Sequence, residues 1–166
     1  MAKKIIVSNS TALINFATIE RLDILHALFK ELFIPEAVWN ETVLKASRYV
    51  SAKRIREAHW IKTKNIHDRN LANLLTGKLD AGEAEAVALA LEMRSDLVLL
   101  DESPAREAAK KLGINFTGTI GCLIMAKRSG IIESIKPVLH RIINDAKFWI
   151  SQDLYRTILI DQQEKP

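Results

Sequence analysis

The chain has 166 residues, 48% of them hydrophobic and 27% charged, enough for one sizeable core and too apolar for a disordered segment. No apolar run reaches the ~18 residues of a membrane-spanning helix, and Ser8-Asn9-Ser10-Thr11 cuts short the run after Lys3-Lys4, so neither a membrane span nor a secretory leader is expected. The single cysteine, Cys122, excludes an internal disulfide and a thiolate zinc site, and with the net charge of +4 suggests a cytoplasmic protein that tolerates a polyanionic partner without demanding one.

In chain order, Lys4 to Ser8 is a β-branched run that predicts a buried strand. Helical patterns follow from Thr11 to Ala17 and from Leu22 to Phe29, then a short strand at Leu32-Phe33-Ile34. Pro35 suits the first turn of another helix, and Glu36 beside it favours the helix dipole. Residues 47–58 and 68–75 predict two more helices. Asp80-Ala81-Gly82-Glu83 opens a strong one, rich in Ala and Leu, that runs to Arg94. Leu97 to Leu100 is a fully apolar strand, and Ser103-Pro104 then opens a helix that Gly113 ends. A strand at Ile114 to Phe116 and helices at about 120–128, 132–145 and 151–159 complete the chain. Apolar strands separated by helices imply a central parallel sheet covered on both faces. The expected fold is a three-layer α/β/α domain spanning 1–166.

From Lys45 to Lys64 seven Lys or Arg face one acid, Glu57, with Tyr49, His59 and Trp60 interleaved. Such a segment suits phosphates and unpaired bases. It equally suits a solvated helix face with its aromatic residues turned inward. If it binds RNA, reversing the charge of Arg54 and Arg56 weakens binding and flattens its salt dependence.

In an open parallel sheet, sites form at the carboxyl ends of the strands. Asn9 follows the first strand, and Asp101 and Glu102 follow the third. Glu83 sits in the first turn of a crossover helix, whose N-terminus lies at the same edge. Glu41 lies on an apolar helix face about 9 Å beyond Pro35, where topology does not place it beside the others. Grouped carboxylates repel, and a hard divalent cation with oxygen ligands relieves the repulsion. Mg2+ or Mn2+ there would polarise a phosphoryl oxygen and activate water, which is phosphodiester hydrolysis.

Each residue also has a purely structural reading. Asp80 with Glu83 has capping-box spacing. Glu41 with Lys45 is an i,i+4 pair. Asn9, Ser10 or Thr11 suits the cap of the first helix. Asp101 is the least redundant acid, because Ser103-Pro104 already supplies the neighbouring helix boundary. His26, His59, His67 and His140 show no metal-ligand spacing, and Cys122 reads as a small core residue. There is no GxxxxGK[ST] loop, GxGxxG turn or GxSxG elbow. Gly118-Thr119-Ile120-Gly121 is a tight turn into a helix, with backbone N–H groups suited to a phosphate or simply to the turn itself.

The stretches IIVSNSTALINFATIERLDILHALF, IPEAVWNE, LDAGEAEAVALALE, DLVLLDESPAREAAKKLGI and GTIGCLIMAKRSGII, in this order, resemble the PIN-domain family, in a subgroup often without an assigned role. The resemblance covers roughly residues 4–160. It implies a PIN fold, Mg2+- or Mn2+-dependent ribonuclease chemistry, and RNA as partner. Many such proteins are toxins of toxin–antitoxin pairs, so it also implies a small antitoxin protein and a homodimer. The family's acidic positions fall on Asn9, Glu41, Glu83 and Asp101, with Glu102 beside the last, and its Ser or Thr near the first acid falls on Thr11. Asn9 departs from the pattern, which usually has Asp. One lost anion should weaken binding of a hard cation.

Two readings follow. In the first, Glu83, Asp101 and Glu102 bind the metal, Asn9 is a neutral ligand or an outer contact to it, Glu41 completes the cluster by binding the metal or orienting its water, and Thr11 and Arg106 contact phosphate. In the second, Asn9 makes the chain a catalytically inactive module that binds RNA or protein. A metal-dependent phosphatase is a weaker third.

Overall fold

The computed structural model describes residues 2–166. At its centre lies a five-stranded, all-parallel sheet. Its strands are β1 (Ile6–Ser8), β2 (Leu32–Pro35), β3 (Ile61–Lys64), β4 (Leu97–Leu99) and β5 (Phe116–Thr117), in the order β3-β2-β1-β4-β5. Among the described residues ten α-helices connect and flank them: α1 (Ser10–Thr18), α2 (Leu22–Phe29), α3 (Glu36–Trp39), α4 (Val50–Glu57), α5 (Arg69–Leu75), α6 (Ala81–Glu92), α7 (Ser103–Lys111), α8 (Thr119–Arg128), α9 (Lys136–Asp145) and α10 (Gln152–Asp161). A π-helical turn, Asn40–Leu44, continues α3. The architecture is the expected three-layer α/β/α fold.

Alternation along the strands builds a core on each face. Ile6 and Leu99 pack with α1, α2 and α8 through Leu13, Leu25 and Leu123. Val7 and Val98 face the other way, against Ala84, Val87 and Ala105 of α6 and α7. A sheet buried on both sides needs strands that are apolar at successive positions, which is why β1 and β4 read as unbroken hydrophobic runs.

The differences from the expected elements have local causes. β3 was not anticipated. It is an edge strand, and of Ile61-Lys62-Thr63-Lys64 only Ile61 is buried. Its lysines suit an edge that must not pair with another chain. Pro35 does not enter a helix. It ends β2 beside Lys64 and occupies the cap position before α3. Glu85 of α6 accepts from the Ala37 N–H at 3.0 Å, satisfying an orphan donor at the start of α3. Among the described residues no helix is long and apolar enough to cross a membrane.

Strand order positions the site. From β1 the chain moves outward to β2 and β3, then returns to β4 on the other side of β1. The β1/β4 boundary is therefore the topological switch point, where connections leave in opposite directions and a crevice opens. Ser8 is paired with Leu99, so Asn9 and Asp101 emerge side by side at that crevice.

Candidate active site

Asn9 occupies the cap position of α1, yet its side chain makes no capping hydrogen bond. The residue is 4% exposed, and its Oδ1 is buried with no partner among the described residues. Such an unmatched acceptor costs on the order of 1–3 kcal/mol. The capping reading of Asn9 therefore fails, and its Oδ1 is left without a hydrogen-bond partner.

Glu41 is drawn into the same edge, which topology did not indicate and only the family resemblance implied. The π-helical turn presents it to two helix starts. Ser10 of α1 donates its hydroxyl to Oε2 at 2.5 Å, and Gly82 of α6 donates its N–H to Oε1 at 3.1 Å. The expected pairing with Lys45 gives way to these contacts. Glycine at 82 is what permits the approach: a Cβ there would lie 2.5 Å from Oε2 and 2.7 Å from Oε1.

Glu83 does form the capping box. Its N–H donates to Asp80 Oδ1 at 2.8 Å, and its own Oε2 accepts from the Asp80 N–H at 3.1 Å. The structural and functional readings of Glu83 are compatible, because the box leaves it within the field of Glu102 and Glu41. Burial pushes its pKa up, and the charges of Asp80, Glu102 and Glu41 push the same way, against the lowering hydrogen bond from Asp80.

Asp101 also has a structural role that the sequence concealed. It caps α8 from a distance: Oδ1 accepts from the Thr119 N–H at 2.9 Å, and Oδ2 from the Thr119 hydroxyl at 2.8 Å. Asn15 Nδ2 donates to that hydroxyl oxygen at 3.0 Å, leaving the Thr119 proton for Asp101. The turn at Gly118-Thr119 thus presents its N–H to a carboxylate of the chain itself. The Asp101 side chain is 7% exposed. Burial raises its pKa, and the two Thr119 bonds and the nearby Arg106 only partly oppose that.

Thr11 and Glu102 lie on the open side, their side chains 3.4 Å apart. Arg106 is fixed by donating Nε to the Leu100 carbonyl at 2.8 Å, and its guanidinium approaches Asp101 to 4.0 Å. A cavity of ≈940 Å³ opens here, with Thr11, Asp101, Glu102 and Arg106 in its wall.

Arg54 and Arg56 are not brought to this group. Arg54 donates Nη1 to the Ala17 carbonyl at 2.7 Å and pairs with Glu20, so it ties α4 to the end of α1. That end lies about 12 Å along the helix from Ser10. Arg56, on the same helix, is exposed. Three of the four histidines are engaged elsewhere: His26 stacks on Trp60, His67 pairs with Glu92, and His140 contacts Tyr155 at 2.6 Å. Cys122 is buried, with its thiol pushed up by desolvation and by the charge of Asp101.

Sequence reasoning missed Ser10, Asn15, Gly82 and Thr119 as parts of the site. A signal existed for two of them, since Ser10 adjoins Asn9 and Thr119 opens the helix after β5.

Among the described residues no three His, Cys, Asp or Glu side chains are gathered closely enough to hold a metal ion as they stand. Glu41, Glu83 and Asp101 are each held by donors of the chain. The donor set nevertheless fits a hard divalent cation. It is all oxygen, it carries mutual repulsion on Glu83, and it includes the unmatched Oδ1 of Asn9.

A doubly wound parallel sheet with acids at its switch point defines the class, an α/β domain with an acidic site at the carboxyl edge. The sequence matches the PIN domain over residues 5–164, and the chain belongs to the PIN-domain family. The PIN domain is a nuclease-type fold, and its members generally use divalent metals. No curated protein matches the sequence.

Proposed function

We propose that this PIN domain is a Mg2+- or Mn2+-dependent ribonuclease that hydrolyses RNA phosphodiesters as a single-domain cytoplasmic protein. The observation that carries the reading is the buried, unmatched Oδ1 of Asn9, at an edge that also holds Glu41, Glu83, Asp101 and Glu102. Asn9, Glu83, Asp101 and Glu102 would hold the cation. When bound, it supplies Lewis acidity toward a phosphoryl oxygen and acidifies a water.

The other roles belong to the chain. Glu41, fixed by Ser10 and Gly82, orients the attacking water. Thr11 and Arg106 contact the phosphate, Arg106 being pre-positioned by the Leu100 carbonyl. The basic face of α4 is the outer contact for a longer strand, with Arg56 the available charge and Arg54 largely engaged by α1. Cleavage of single-stranded RNA in Mn2+ tests the reading, comparing wild type, Asn9→Asp and Asp101→Ala. Loss of cleavage in Asp101→Ala supports it.

The neutral Asn9 favours a second reading, a catalytically inactive module that binds RNA or a partner protein. Cleavage seen only in Asn9→Asp would establish that one. Family resemblance supports a toxin role with a small antitoxin and a homodimeric state. Growth arrest on expression, relieved by the product of a short adjacent reading frame, tests the first part, and sedimentation tests the second.

A further inference from the structure

The cavity beside Asp101 extends beyond the acids, and its far wall is the connection between α9 and α10. Lys147, Phe148 and Trp149 line it together with Asp101, Glu102 and Arg106. Trp149 is 81% exposed, although Trp is a residue that burial ordinarily favours. Its exposure is built in. Phe148 and Ile150 on either side pack against the core, so the residue between them is turned outward.

The connection is held at both ends. Lys147 takes a left-handed conformation (φ 57°) just past the end of α9, and the Phe148 N–H donates to the Ile142 carbonyl at 3.3 Å. Ser151 caps α10, accepting from the Leu154 N–H at 3.2 Å. Trp149 is thus presented by a tethered segment, which lowers the ordering cost of anything that stacks on it.

An exposed indole near two cations, across one cavity from the acids, matches a nucleotide: a π-face for the base and charge for the phosphate. We infer that Trp149 is a base-stacking platform that selects single-stranded RNA, holding an unpaired base while the neighbouring phosphodiester lies at Asp101 and Glu102. A base-paired strand has no free face to offer and is excluded. The inference rests on the proposed ribonuclease reading for the identity of the strand, but its test does not need cleavage.

The experiment measures binding of a labelled single-stranded oligoribonucleotide of about ten nucleotides, in EDTA, by anisotropy, with abasic and duplex versions alongside. Trp149→Ala should weaken binding of the intact strand roughly tenfold or more, and Trp149→Phe should retain most of it. One abasic position should weaken wild type and leave Trp149→Ala indifferent. Duplex should bind wild type poorly. The melting temperature of Trp149→Ala should match wild type, because the side chain is exposed.

The inference is overturned if Trp149→Ala binds within about twofold of wild type, or loses as much on the abasic strand as on the intact one. It is equally overturned if wild type binds no RNA, or if Trp149→Ala alters only self-association in sedimentation. Base-dependent binding without cleavage keeps the inference and removes the hydrolase reading. Cleavage indifferent to Trp149 does the reverse.

Discussion

Asn9→Asp separates charge from shape, since the two side chains are nearly isosteric. The position is 4% exposed and shares its edge with Glu41, Glu83, Asp101 and Glu102. Burial already raises Glu83 and Asp101, so a new carboxyl at position 9 is raised as well. A buried carboxylate without a compensating charge costs on the order of 3 kcal/mol at neutral pH. The sign follows from linkage: a raised folded pKa leaves stability untouched below the unfolded value and removes it as pH climbs to the folded one. For a chain of this size that loss lowers the melting temperature by roughly 6–12 °C in EDTA at pH 7, and by little at pH 4. A divalent cation reverses it, because a ligand at a hundred times its Kd adds about 2.7 kcal/mol. Differential scanning fluorimetry in EDTA, Mg2+ and Mn2+, at matched ionic strength, reads all three effects. If Asn9→Asp melts with wild type in EDTA and gains no more from the cations, position 9 is not in an anionic pocket and the metal reading fails.

Gly82→Ala drives a Cβ into the Glu41 carboxylate and displaces it from Ser10 and the α6 N–H. Cleavage should fall roughly 10–100-fold, as for other groups that orient a metal site, while the helix gain of alanine over glycine limits the net stability change to about 1 kcal/mol. Burial alone would raise Glu164, but the Lys127 ammonium, the Ser134 hydroxyl and the N–H groups of Ile135 and Lys136 outweigh it and hold the pKa at about 2. Its folded pKa is depressed, so its stabilisation is complete above the unfolded value and is lost as pH falls from about 4.5 toward 2, by ~3 kcal/mol. Urea unfolding of wild type and Glu164→Gln at pH 7 and pH 3 should show a gap that narrows in acid. Reversing the charge of Arg56 should flatten the salt dependence of RNA binding without moving the melting temperature. Unchanged salt slopes would remove α4 from the RNA path.

The fold was legible because it is built from unbroken apolar strands. β1, β2 and β4 announce themselves by their apolar runs, and strand-helix alternation then implies a parallel sheet; β5, the other edge strand, is only half-buried, and Phe116 alone of the expected Ile114–Phe116 lies in it. β3 escaped because an edge strand needs only one buried face, and Lys62, Thr63 and Lys64 carry no apolar signal. Asn9, Glu83 and Asp101 were legible for a topological reason, since each sits at a strand end or a crossover-helix start. Glu41 was legible only through the family resemblance, because regular helical spacing does not describe the π-helical turn that carries it. Ser10, Gly82 and Thr119 were hidden in another way. They act through contacts spanning 31, 41 and 18 residues; Ser10 and Thr119 are marked only by their places beside Asn9 and at the helix after β5, and nothing local marks Gly82.

Those three hidden residues solve one physical problem. Several carboxylates at a single edge destabilise one another, and burial adds to the cost. Each of the three sits at the start of a different helix, α1, α6 or α8, where unsatisfied N–H groups carry partial positive charge. Gly82 and Thr119 turn a backbone N–H toward Glu41 and Asp101, and Ser10 adds a hydroxyl. The acids are thus held together by the ends of the fold's own helices and do not depend on a cation for cohesion. Each carboxylate oxygen that accepts one of these hydrogen bonds keeps a second lone pair, so the donors orient Glu41 and Asp101 without using up their capacity for a cation. Asn9 Oδ1 has no donor at all. Thr119→Val removes the hydroxyl donor to Asp101 and should therefore weaken cation binding roughly 10–100-fold in a calorimetric titration while loosening the start of α8.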